Sequence, residues 1–187
     1  PPSHCAYREG MTTMPPALSV LRECFGRVRE ELPSVLDGLA PEAVLWRADD
    51  EANPIGWLVW HLLRVQDDHL AGVAAALGRP VDQAWTEHEG RFGLPYPTEA
   101  IGYGHSSADV AAFDVTDPAL LLGYAEAVDA LTEQVLAGMT EDDLQRQVDT
   151  YDGEPITAQV RLVSVVGDTT QHLGQASYLR GLVERRR

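Results

Sequence analysis

The chain contains no lysine: its 14 basic residues are all arginine, set against 29 acidic ones, and the formal charge is −15 over 187 residues. So one-sided a balance disfavours nucleic acid and anionic membrane as partners, because both select for basic patches. Cysteine is scarce too. Cys5 and Cys24 are the only two, and they have no metal-binding spacing, which excludes a disulfide scaffold and fits a reducing, cytoplasmic setting. No stretch approaches the roughly 18 apolar residues of a membrane span. The first residues lack the basic-then-apolar pattern of a secretory signal. Met11 and Met14 are both candidate start residues. Residues 1–13 are expected to be a leader or disordered tail ahead of one domain over 14–187.

What is present is helical periodicity. Leu18, Leu21, Phe25, Val28, Leu32, Val35 and Leu36 recur every three or four residues, predicting a first helix over 18–39 that Pro33 could kink. Asn53-Pro54 reads as N-cap and first helical residue of a second helix ending near Leu77, before Gly78 and Pro80. From Arg79 to Ser107 the pattern breaks. Pro80, Gly90, Gly93, Pro95, Pro97, Gly102 and Gly104 punctuate a segment that still holds Trp85, His88, Phe92, Tyr96, Tyr103 and His105. Such a long aromatic-bearing insertion is expected to be irregular and to form a lid or pocket wall. Asp117-Pro118 opens a third helix to about Ala137, and Tyr151-Asp152-Gly153-Glu154 is a turn, consistent with a small hairpin. The last helix runs from about Thr157 to Val183. These elements predict an all-α, up-and-down style four-helix bundle with a long insertion between its second and third helices.

The last helix carries the chemistry. Asp168 and His172 are four residues apart, one turn on one face, and Gln175 follows three later. Both lie at the edge of the apolar arc set by Leu162, Val165, Leu173, Ala176 and Leu179, so both point partly inward. A carboxylate there needs a partner or a metal. A third ligand must come from another helix. His61 lies at the edge of the second helix's arc, and His69 lies nearer its middle, which predicts deeper burial for His69. The pattern gives the two equal standing as ligand. It also admits a plain structural Asp168–His172 contact.

A resemblance separates them. The segment Asn53-Pro54-Ile55-Gly56-Trp57-Leu58-Val59-Trp60-His61-Leu62-Leu63-Arg64-Val65-Gln66-Asp67-Asp68-His69 resembles the second helix of the DinB/YfiT-like superfamily. Leu162 to Gln175, with Gly167-Asp168-Thr169-Thr170-Gln171-His172, resembles its last helix. Arg91-Phe92-Gly93-Leu94-Pro95 and Thr98–Ser106, with Gly102-Tyr103-Gly104-His105, are similar to an actinobacterial branch of unknown function related to mycothiol-dependent enzymes. The resemblance implies a four-helix bundle holding a divalent metal, zinc or nickel, on three side chains. His61, followed by Arg64 in a His-x-x-Arg pattern, is then the first ligand, and Asp168 and His172 are the others. Asp168 departs from the His or Glu usual at its position.

The expected activity comes from that resemblance. A low-molecular-weight thiol of the mycothiol type would be transferred to a small electrophile. Arg64 would contact a carboxylate, unless it forms an ion pair with Asp67 or Asp68. Gln171 or Gln175 would orient a ligand, and Trp57, Trp60 and Tyr103 would line the pocket. The related isomerases carry a further C-terminal domain, whereas this sequence ends at Arg187, so transfer is expected over isomerisation. Two other readings stand beside it. One is a hydrolase with His69 or Asp68 as base, and the other is a non-catalytic bundle that binds a small molecule or forms a homodimer.

Overall fold

The computed structural model describes residues 14–186. Along the chain run α1 (Pro16–Leu36), a single-turn α2 (Pro41–Val44), α3 (Ile55–Ala76), α4 (Trp85–Phe92), α5 (Ser107–Ala111) and α6 (Pro118–Ala137). A 3-10 turn (Asp142–Gln145), strands β1 (Gln147–Tyr151) and β2 (Glu154–Thr157) and the 27-residue α7 (Ala158–Glu184) complete it. Two antiparallel strands are the whole of the sheet among the described residues. The fold is therefore essentially all-α. No helix among the described residues is long and apolar enough to cross a membrane. The expected tail at 1–13 lies outside the described residues.

Most helix limits reflect local chemistry. The seven apolar residues predicted to face inward on α1 are its seven buried residues. Pro33 sits in the last turn, and the helix runs through it to Leu36. Asp117 caps α6 by accepting from the Ala119 amide, with Pro118 at the first helical position. At α3 the start is one residue later than the Asn-Pro signal suggests: Pro54 is the N-cap, extended at ψ 161°, and its carbonyl receives the Leu58 amide. The hairpin turn takes positive φ at both central residues, Asp152 (50°) and Gly153 (83°), as a two-residue turn of type I′ requires.

The long helices do not alternate in direction as an up-and-down reading predicts. α3 packs on α6 and α7, and α1 also packs on α6 and α7. Arg22 meets Glu133 and Arg29 meets Asp129, so α1 and α6 are antiparallel. Arg180 near the end of α7 donates to the Asp37 carbonyl at the end of α1, so those two are parallel. Gln66 meets Thr132, and Ala74 and Leu77 line one cavity with Val135 and Met139, so α3 and α6 are parallel. Two neighbouring parallel helices need a connection as long as themselves. The segment from Gly78 to Asp117 is that crossover.

The crossover is more regular than its composition suggests. Trp85 and Phe92, seven residues apart on α4, pack their rings on Tyr124 of α6 at centroid distances of 5.3 and 5.8 Å. Gly93, at φ 61°, ends that helix in the left-handed conformation glycine favours. Further on, Phe113 meets Trp60 and Gly56 of α3. With α6, α7 and the crossover around it, α3 is buried on every side from Ile55 to Asp67.

That burial encloses two charges. Arg64 and Asp67 have fully buried side chains 3.5 Å apart. Asp67 accepts from the amides of Ala84 and Trp85 and from the Tyr124 hydroxyl. Arg64 donates to Gln83 and to the carbonyls of Ala100 and Thr98. The pair thus fixes the crossover at two places. Replacing Asp67 by Ala leaves an uncompensated buried guanidinium and two orphaned amides, and is expected to destabilise the protein by about 3–5 kcal/mol. Urea unfolding of the variant beside the wild type measures it.

Candidate metal centre

His61 on α3 meets Asp168 and His172 of α7. Each of the three offers one ligand atom, and these atoms all lie within 4.8 Å of one another. The imidazoles of His61 and His172 stand edge to face, centroids 4.7 Å apart. Both rings have one nitrogen occupied. His61 Nδ1 lies 2.5 Å from the Ile101 carbonyl, which can only accept, so Nδ1 carries the proton. His172 Nδ1 lies 3.1 Å from Gln175 Oε1, another acceptor. In the neutral rings Nε2 is then the free lone pair, the arrangement by which metal-bound histidines are usually oriented.

The carboxylate supplies the strongest sign of a missing partner. Asp168 Oδ1 lies 3.6 Å from His172 Nε2, an ion-pair distance rather than a hydrogen bond. Its Oδ2 is buried and has no hydrogen-bond partner among the described residues. Buried polar atoms are rarely left so, and a cation shared with the two Nε2 atoms would satisfy it. Two imidazoles and a carboxylate suit zinc, nickel or iron(II) and leave coordination positions open. Ligands at about 2.1 Å from a tetrahedral ion stand about 3.4 Å apart, so the three fit one after a small closure.

Electrostatics separates the two histidines. Burial lowers the His61 pKa, only partly offset by the bond to Ile101, and keeps the ring neutral. The neighbouring Asp168 carboxylate raises the His172 pKa against the opposing effect of burial. For Asp168 itself, burial pushes the pKa up. His172, with His61 and His69 beside it, outweighs this and leaves it below the usual carboxylate value.

The segment around Gly102 sets His61 in place. Gly102 has φ +91°, and a Cβ there would stand 2.7 Å from His61 Nδ1 and 3.0 Å from the Trp57 ring. Trp57 stacks on His61 from another side, centroids 4.8 Å apart. The imidazole is clamped between an indole and a turn that admits no side chain.

The other residues singled out in the sequence fall in different places. His69, expected to be the more buried histidine, is the less buried: its side chain is 27% exposed, whereas His61 as a whole is 5% exposed. The reason is that α3 is covered all round near His61 but not at its second half. His69 is outside the ligand group, though it lines a cavity of about 410 Å³ with His61, Asp168, Ile101, Tyr103, Tyr151, Arg161 and Ser164. Asp68 faces His69 at 3.6 Å and accepts from Gln83. Tyr103 is a rim residue, largely exposed. Gln175 orients His172, whereas Gln171 is exposed and turns back to the Gly167 carbonyl. Arg64 is enclosed, and its bonds go to the crossover and Tyr124 rather than to the cavity. A substrate contact there gives way to a structural role. Trp60 is likewise fully buried in the core. Arg161 was not anticipated, although its place seven residues before Asp168 on one face of α7 could have found it.

These features define an all-α protein with a candidate His–Asp–His metal centre between two long helices. The DinB superfamily model matches residues 25–176, and the chain belongs to that superfamily. It is also similar to a conserved protein from Enterococcus faecalis known from its crystal structure, at 29% sequence identity and a TM-score of 0.77. The match covers 88% of this chain and 95% of that one. No curated protein matches the chain.

This geometry has two measurable consequences. Gly102→Ala is expected to weaken metal binding about ten-fold or more, because displaced outer partners cost that much at metal sites. Zinc titration with a competing chelator measures it. Metal affinity is also expected to fall with pH. The raised His172 pKa means its proton, and the stabilising pairing with Asp168, is fully present below the ordinary value of 6.5 and is lost as pH rises through the folded-state value. The metal needs that nitrogen bare, so the same titration at about pH 8 and about pH 6 should show weaker binding at the lower pH.

Proposed function

We propose that this protein is a divalent-metal-dependent thiol S-transferase built on a four-helix bundle, with His61, Asp168 and His172 as metal ligands. Zinc is the preferred ion, with nickel as the alternative, and a thiol of the mycothiol type is the co-substrate. The observation that carries this is the buried, unpartnered Oδ2 of Asp168 beside two histidines whose other nitrogens are already engaged. A bound divalent ion supplies Lewis acidity, lowering the pKa of a thiol or water at its open position.

The chain's own residues do the rest. Ile101 and Gln175 hold the two imidazoles in the tautomer that presents Nε2. Burial, then the charge of Arg161, keep the His69 pKa low, so its ring is neutral near pH 7 and free to accept the thiol proton. The thiolate sulfur then forms a bond to the electrophilic carbon of the substrate as the leaving group departs with its electron pair. Trp57 and the Ile101–Tyr103 turn exclude water from the His61 side of the cavity.

The same neutral His69 in the cavity wall favours a second reading, in which it takes a proton from water and the reaction is hydrolytic. Homodimerisation through the helices is retained as a proposal for its assembly.

Metal analysis of protein purified without chelators is expected to give about one equivalent of metal, lost in His61→Ala and His172→Ala. His69→Ala should keep the metal and slow the metal-dependent consumption of a bimane electrophile by thiol. Metal retained in His61→Ala but lost in His69→Ala would overturn the ligand assignment. A wild type without metal would falsify both catalytic readings. Bound metal with no thiol dependence favours hydrolysis.

A further inference from the structure

The candidate metal centre occupies one end of a groove. Its walls are His61, Val65 and His69 of α3 and Asp168, Val165, Ser164 and Arg161 of α7. α3 and α7 are antiparallel, since α7 is parallel to α1 and α1 and α3 place opposite ends in each half of the core. His61 therefore faces Asp168 at one end. At the other end His69 and Arg161 share both the groove and the neighbouring cavity. Arg161 and Asp168 are seven residues apart, about 10 Å along the helix axis.

Arg161 is the one arginine lining this groove among the described residues. Its side chain is mostly enclosed, 18% exposed, and its Nη2 is paired with Asp149 of β1. Among the described residues its Nε and Nη1 have no hydrogen-bond partner. A guanidinium is a planar fork of donors matched to a carboxylate, and here two of its nitrogens are left for one. Asp68 and Asp149 flank the same end, and the whole chain carries −15, so a single negative charge suits the site better than a phosphate dianion.

We propose that the groove binds an elongated ligand whose reacting atom lies at the His61–Asp168–His172 end and whose carboxylate is held by Arg161 about two helical turns away. This rests on the reading of that end as a metal centre. The carboxylate belongs either to the thiol or to the electrophile, and the two are separable by experiment.

The first arm uses calorimetry on metal-loaded protein, comparing 8-mercaptooctanoate with the neutral 8-mercaptooctanol. The acid is expected to bind roughly ten-fold tighter or more, as a charge-assisted bidentate contact provides. Arg161→Gln should abolish that preference while metal content is kept, and Arg161→Lys should restore part of it. The short 3-mercaptopropionate should show no preference over 3-mercaptopropanol, because it cannot reach. The second arm tracks consumption of 2-mercaptoethanol by 8-bromooctanoate and by 8-bromooctanol. A preference for the acid found only there, and lost in Arg161→Gln, assigns the carboxylate to the electrophile. With metal bound, the absence of an Arg161-dependent preference in both arms overturns the proposal and leaves Arg161 as a tether for the hairpin. If Arg161→Gln does not fold, Arg161→Lys decides: it keeps the charge and loses the planar fork, so the preference for the acid must fall in it while metal content is kept. A wild type that binds no metal is a different failure, that of the metal reading, and is scored by metal analysis before either arm.

Discussion

The buried Arg64–Asp67 pair is the constraint on which the rest of the structure depends. Two ionised groups have been taken fully out of water on one helix, and neither can stay there without partners. Their partners are backbone groups of the crossover and the hydroxyl of Tyr124 on α6. Between its two short helices, α4 and α5, the connection is rich in glycine and proline and is held by such contacts. The crossover's carbonyls at Thr98 and Ala100 and its amides at Ala84 and Trp85 supply what the pair requires. The pair thus acts as a specificity device more than as a source of net stability, since its desolvation cost offsets much of its attraction.

The candidate metal centre inherits its geometry from that anchoring. Arg64 holds the carbonyl of Ala100, and the next carbonyl, that of Ile101, fixes the tautomer of His61. One turn of α3 separates the two side chains. The residue that shapes the crossover and the residue that would bind the ion therefore act on adjacent peptide groups. On the other side α7 needs no such support for Asp168 and His172, because a helix places residues four apart on one face by itself. Gln175, three residues further, completes the orientation of His172 from the same helix. One half of the site is thus a local product of helical spacing, and the other half is built by long-range packing.

The parallel arrangement of α3 and α6 also has a functional consequence. A short hairpin between them would have left the His61 face of α3 open to solvent. The long crossover instead places Ile101 beside it and Tyr103 at the rim of a cavity of about 410 Å³, within the range of small-molecule pockets. The β1–β2 hairpin adds Tyr151 and, through Asp149, positions Arg161. In this member of the DinB superfamily, α3 brings His61 to Asp168 and His172 of α7.

By itself the sequence determined the four long helices and the Asp168–His172 pair, but not α4 inside the insertion. The apolar positions of α1 and the caps of α6 were legible because each depends only on neighbours in the chain. Asp168 and His172 were legible as a unit for the same reason. His61 and His69 were not separable by periodicity, because the arc measures one face of α3 and the structure buries that helix on all faces around His61. Arg64 was open between a substrate contact and an ion pair with Asp67 or Asp68; the structure has the Asp67 pair, buried rather than on the surface, because enclosure by a distant segment leaves no mark in local spacing. The helix directions were decided only in the tertiary structure. Loop length permits a crossover but does not require one; burying the Arg64–Asp67 pair and the aromatic face of α4 does. Features set by bonds within a few residues were written in the chain, and those set by removing water between distant segments were settled only when the segments packed.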